Sequence, residues 1–143
     1  MIKIRHTGIV TYNLKKSLYF WSKCLNFKVF KVMNEKGELI DSIMQLKKIK
    51  IKTIKLKDSN NNLLEIIYFK NLKSKDKKKT LPYTQGYTHI SVTVKNINKI
   101  YEKLKKKGIK FNSAPKKSAD GGVLMTYCKT PESAFLELVE ELR

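Results

Sequence analysis

Hydrophobic and polar positions alternate along Gly86-Tyr87-Thr88-His89-Ile90-Ser91-Val92-Thr93-Val94, where Ile90, Val92 and Val94 interleave with His89, Ser91 and Thr93. A period of two with β-branched residues predicts a strand with one apolar face and one polar face. A turn, an amphipathic helix over about 97–107 and a stop at Gly108 follow. The same pattern occurs at Ile4-Arg5-His6-Thr7-Gly8-Ile9-Val10-Thr11, which leads through Asn13-Leu14 into a helical stripe of Leu14, Leu18, Phe20, Trp21 and Leu25. Asn13 lies seven residues past His6, and Asn96 lies seven past His89. The two histidines, the only ones in the chain, therefore hold the same place in a duplicated unit.

The remaining pattern fills out both copies. The first predicts a strand over 2–12, a helix over about 14–25, a strand from Asn26 to Val32 broken by Gly37, and a short helix from Glu38 to Leu46. Strands over 50–57 and 63–69 follow, separated by the turn Asp58-Ser59-Asn60-Asn61-Asn62. The lysines of 50–57 read as a solvated outer face or as protection of a sheet edge. The second copy predicts a strand over 86–94, the helix, a short strand near Lys110-Phe111, a loop holding Pro115, Gly121 and Gly122, and strands over 123–128 and 134–140. Each copy reads strand-helix-strand-strand-strand. The domain organisation is a first module over 1–69, a polar and charged linker over 70–85 and a second module over 86–143.

Composition changes this picture little. The chain has 143 residues and 41% hydrophobic content, enough for a folded core and unlike a disordered chain. No run approaches 18 apolar residues and no leader pattern precedes the first strand, so neither a membrane span nor export is expected. Cys24 and Cys128 read as reduced thiols of a cytoplasmic protein. The net charge of +19 raises the question of nucleic acid. Nearly all of it is lysine spread over every segment, with Arg5 and Arg143 the only arginines, and no nucleic-acid partner is expected.

Candidate chemistry comes from two carboxylates. Glu65 and Glu137 each interrupt an otherwise apolar closing strand, a costly position for a buried charge without a partner. A solvent-facing position explains one such glutamate more easily than two at matched places beside two matched histidines. Two imidazoles and two carboxylates form a donor set suited to a divalent ion such as Zn, Ni, Co, Mn or Fe. The spacing is not that of a local zinc finger, so only the fold can assemble His6, Glu65, His89 and Glu137.

With these residues the chain resembles the vicinal oxygen chelate superfamily, the group of glyoxalase I, methylmalonyl-CoA epimerase and the bleomycin-resistance proteins. Lys129-Thr130-Pro131-Glu132-Ser133-Ala134-Phe135-Leu136-Glu137 is similar to the Asp-Pro-Asp-Gly turn and closing glutamate strand of that group. The resemblance implies an α+β fold of paired βαβββ modules, forming a curved mixed sheet around a central metal cavity. It implies that the four residues bind a divalent metal which polarises vicinal oxygens of a small-molecule substrate. The Gly37–Leu46 segment resembles an inserted helix of the 2-epi-5-epi-valiolone epimerase-like branch, which implies an isomerase or epimerase, or a lyase, working through a metal-stabilised enolate. Glu137, with Glu65 second, is then the base and Tyr127 the candidate proton donor. The alternatives are a glyoxalase-type lyase and a non-catalytic protein of the same fold that binds a small molecule such as an antibiotic. Glyoxalase I has an arginine near the place of Val10, so glutathione is not expected as partner. An apolar helix at Leu39–Leu46, if exposed, implies a homodimer.

Overall fold

The computed structural model describes residues 1–74 and 80–142. The expected linker over 70–85 includes residues 75–79, which lie outside the described residues. The chain divides into two compact units, Met1–Lys77 and Lys78–Arg143.

The first unit runs β1 (Thr7–Val10), α1 (Leu14–Leu18), a π-helical segment (Tyr19–Cys24), β2 (Lys28–Lys36), α2 (Glu38–Met44), β3 (Lys50–Lys57) and β4 (Leu63–Phe69). Its four strands lie in the order β1-β4-β3-β2, with β1 parallel to β4 and the other pairs antiparallel. The second unit runs β5 (His89–Thr93), α3 (Ile97–Lys106), β6 (Lys116–Lys117), β7 (Val123–Lys129) and β8 (Phe135–Glu141). Its sheet has the matching order β5-β8-β7-β6, with β5 parallel to β8. Two four-stranded mixed sheets with few helices are the βαβββ architecture that the duplicated pattern predicts.

The helix after the first strand of each unit, α1 in one and α3 in the other, begins on the same device. Asn13 Oδ1 accepts from the Lys16 amide at 3.0 Å, and Asn96 Oδ1 accepts from the Lys99 amide at 3.1 Å, which satisfies a helix-start donor in both copies. In the second unit the Glu140 carboxylate of β8 also accepts from the Asn96 and Ile97 amides, at 2.8 and 2.9 Å. This ties the start of α3 to the closing strand. Apolar faces then pack inward: Phe20, Trp21, Ile54, Leu56, Leu64 and Ile66 are buried in the first unit, and Ile97, Leu104, Leu136 and Leu138 in the second. Such burial is the main favourable contribution to folding.

Several boundaries differ from the sequence reading. β1 is four residues long, not a strand over 2–12, because its parallel partner is available only from Leu64 onward; the chain before Leu63 is the Asp58–Asn62 turn. His6 therefore sits just ahead of β1, while His89 is the first residue of β5. The expected helix over 14–25 is α-helical only to Leu18. It widens into an i→i+5 turn, closed by the Leu25 amide on the Phe20 carbonyl at 3.2 Å, where Trp21 packs edge-on between Phe20 and Phe27. In the second unit Phe111 makes only an isolated bridge to Cys128, and the edge strand is the pair Lys116–Lys117 beyond Pro115. Proline's missing N–H and fixed φ break the pairing between these two places.

The β3 lysines also depart from expectation. β3 is an inner strand between β2 and β4, not an edge, and of its four lysines only Lys50 is exposed. Lys55 stands directly opposite Glu65 across the β3–β4 ladder.

Candidate functional site

Strand register brings each histidine to its glutamate. Gly8 of β1 pairs with Glu65 of β4, and Ser91 of β5 pairs with Glu137 of β8. Each histidine lies two residues before that partner, so the period-two alternation puts it on the glutamate's face of the sheet. His6 Nε2 lies 3.7 Å from Glu65 Oε1, and His89 Nε2 lies 3.9 Å from Glu137 Oε2. Both separations exceed hydrogen-bonding distance. Ring nitrogen and carboxylate oxygen therefore stand side by side, as two donors facing a shared cation would.

The carboxylates are similarly sheltered, Glu65 at 13% and Glu137 at 14% side-chain exposure. Their surroundings differ. Glu65 Oε2 faces the Lys55 ammonium at 3.5 Å, whereas Glu137 has Tyr127 at the equivalent cross-strand position. Burial, and then the Glu137 carboxylate that accepts its hydrogen bond, push the Tyr127 hydroxyl above the usual phenol value. It stays a protonated donor at neutral pH. The Tyr127 ring also meets the His89 ring edge-on at 5.5 Å and the Phe135 ring at 6.4 Å.

The second nitrogens of the two histidines complete the geometry. His89 Nδ1 lies 2.9 Å from Thr88 Oγ1. With its proton on Nδ1 and given to that hydroxyl oxygen, the ring turns the lone pair of Nε2 towards Glu137. His6 Nδ1 is buried with no hydrogen-bond partner. Beside His89 the second unit has a cavity of about 150 Å³ lined by Pro82, Thr88, His89, Asn112, Tyr127 and Phe135.

The residues expected from sequence thus come together as two pairs, His6 with Glu65 and His89 with Glu137, with Tyr127 on the second. Among the described residues, no group of three or more His, Cys, Asp and Glu side chains is placed to hold a metal ion. Each pair nonetheless fits one. Imidazole nitrogen with carboxylate oxygen is a borderline donor set for first-row divalent ions, and no proton is shared between the members. The cysteines supply no nucleophile in the second unit, where burial pushes the Cys128 thiol up to about 12. Sequence reasoning missed Lys55, Thr88 and Asn112. The signal for Lys55 was present, since it precedes Glu65 by the same spacing across a turn as Tyr127 precedes Glu137.

Residues 3–138 match the Glyoxalase/Bleomycin resistance protein/Dioxygenase superfamily. The chain belongs to that superfamily. Among solved structures, a glyoxalase family protein from Bacillus cereus superposes with a TM-score of 0.89 at 18% identity, covering 100% of this chain and 96% of its own. A glyoxalase family protein from Enterococcus faecalis gives 0.68 at 21% identity over 96% of this chain and 97% of its own. A glyoxalase I mutant from Zea mays gives 0.68 at 18% identity, with 98% of this chain covering 47% of that longer one. At these identities the likeness is one of fold. No curated protein sequence matches the chain significantly. Membership of the glyoxalase superfamily places the protein among metal-dependent enzymes and binding proteins, and the maize protein shows that enzymes share this architecture. No helix among the described residues is long and apolar enough to cross a membrane.

Proposed function

We propose that the protein is a divalent-metal-dependent isomerase, epimerase or lyase acting on a small oxygenated carbonyl compound, with His6, Glu65, His89 and Glu137 as ligands of the ion. The observation that carries this reading is the repeated His–Glu pair, 3.7 Å apart in one unit and 3.9 Å in the other, on the same register in both. Two copies of a fold keeping a half-buried carboxylate beside an imidazole are better explained by shared ligation than by packing.

A bound divalent ion would polarise a carbonyl oxygen and make the adjacent C–H acidic. The chain's own residues then divide the work. Glu137, held beside Tyr127, is the base that takes the proton, with Glu65 as the second candidate. Tyr127, kept protonated, turns its hydroxyl from Glu137 to a developing negative oxygen once Glu137 has taken the substrate proton and no longer needs that donor. The cavity beside His89, at about 150 Å³, suits a small substrate, since drug-sized sites run to ~300–1,000 Å³.

Within the superfamily we favour the epimerase-like branch over a glyoxalase-type lyase, because α2 is inserted between β2 and β3 where that branch resembles this chain. We also infer a homodimer and a cytoplasmic location. Leu39 and Ile43 of α2 are 77% and 67% exposed, and two free buried thiols suit a reducing compartment. Sedimentation at micromolar concentration should give a dimer, and a monomer would remove that part. A second reading, a binding protein that works without metal, draws on the Lys55–Glu65 ion pair, which already gives Glu65 a cation.

The experiment that separates the readings follows deuterium uptake at the carbon next to the carbonyl, across ketoacids, sugars and acyl-CoA esters, with and without added metal. The enzyme reading expects metal-dependent exchange that Glu137→Gln abolishes while some metal is retained. Exchange unchanged in that variant moves the base to Glu65. No exchange with any substrate class, together with ligand binding that ignores metal, favours the binding protein.

A further inference from the structure

Lys55 is an unusual residue for its position. Its side chain is 16% exposed on an inner strand, although lysine is seldom buried without a reason. It faces the side of the sheet that carries His6 and Glu65, because it is the direct cross-strand partner of Glu65.

Neutralising a half-buried glutamate is the first explanation, and the second unit argues against it. Glu137 is as sheltered as Glu65, and among the described residues it is met by the neutral Tyr127 hydroxyl and not by a lysine. A carboxylate at this place in the fold does not require an ammonium partner. The two oxygens of Glu65 are also divided: Oε1 faces His6 and Oε2 faces Lys55. A ligand role for Oε1 therefore leaves Lys55 held where it is, next to the ligand pair. Its ammonium carries three donors, and at 3.5 Å the approach to Glu65 is looser than a tight charge-assisted bond.

We propose that Lys55 is a substrate-binding residue which selects a carboxylate, so that the small carbonyl compound taken by this site is an anionic, carboxylate-bearing one. This inference rests on the metal-site reading above and narrows it. The first unit then presents a fixed positive donor beside its histidine and glutamate, where the second unit has a neutral phenol at the matching position.

The test uses the full chain loaded with cobalt and two probes read by the cobalt absorption spectrum: oxalate, a dicarboxylate, and imidazole, a neutral ligand. Lys55→Gln should weaken oxalate binding about tenfold while changing imidazole binding less than about twofold, and Lys55→Arg should keep oxalate binding near wild type. Melting temperatures of both variants are measured alongside, so that loss of fold is recognised. Oxalate affinity unchanged in Lys55→Gln overturns the inference and leaves the metal site standing. Equal loss of oxalate and imidazole also overturns it, by showing a structural role. Failure of the wild-type chain to take up cobalt removes the metal-site reading, and this inference with it.

Discussion

The two units are the same device finished differently. Both start their helix on an asparagine cap seven residues past a histidine, and both set that histidine diagonally from a sheltered glutamate. They differ in what surrounds the pair. In the first unit Glu65 faces an ammonium and His6 Nδ1 is an orphan; in the second Glu137 faces a phenol and His89 Nδ1 meets Thr88. The edge strands differ as well, β2 having nine residues and β6 only two. What the copies share is the backbone that delivers the pair. What they do not share is the charge of the residue that stands opposite the glutamate, an ammonium in one unit and a phenol in the other.

The largest effect expected from this asymmetry appears in alkali. Cys128 and Tyr127 both belong to the second unit, and both have raised pKa values, Cys128 from 9.0 to about 12. A folded-state value above the unfolded one gives stability that is fully present below the unfolded value and lost as pH rises towards the folded one. Stability should therefore fall between pH 9 and about 12, by about 1.4 kcal/mol per pH unit for the Cys128 proton and up to ~4 kcal/mol at the upper end. Cys128→Ala should flatten the fall in melting temperature over that window. An identical pH profile in the variant would show that the thiol is not held in the way its burial implies.

A smaller effect sharpens the comparison at the helix starts. Asn13→Ala should cost about 1 kcal/mol of stability for the lost cap. Asn96→Ala should cost more, because Asn96 lies in the left-handed region at φ 56°, which alanine adopts poorly, whereas Asn13 lies at φ −135°. Denaturant unfolding of the two variants checks the order. Equal losses would mean that Glu140, which accepts from the Asn96 and Ile97 amides, holds the start of α3 without its cap.

The duplicated architecture and the superfamily were legible in the sequence because they rest on local signals. The Ile90, Val92 and Val94 alternation, the paired Asn-Leu and Asn-Ile helix starts, and glutamates inside apolar strands all lie within a few residues of what they specify. Features set by strand pairing were not legible in the same way. β1 is short because Leu63 is where its partner begins, and the second edge strand moves past Pro115. The spacing of Lys55 to Glu65 matches that of Tyr127 to Glu137, but it is masked by alternating lysines whose solvated reading fits an edge strand. Only the β2-β3-β4 order shows that β3 is internal and that Lys55 meets Glu65. Thr88 and Asn112 have no distinguishing pattern, since each matters through a neighbour that the fold supplies.

The central claim is that His6 and His89 both ligate a divalent ion. Elemental analysis of the purified wild-type chain and of His6→Ala and His89→Ala tests it most directly, with melting temperature read with and without added metal. At a metal concentration near a hundred times its dissociation constant, binding should stabilise the wild type by about 2.7 kcal/mol. Each histidine variant should lose most of its metal and with it the metal-dependent rise in melting temperature, while keeping the metal-free melting temperature of the wild type. Metal content unchanged from wild type in both variants would contradict the account.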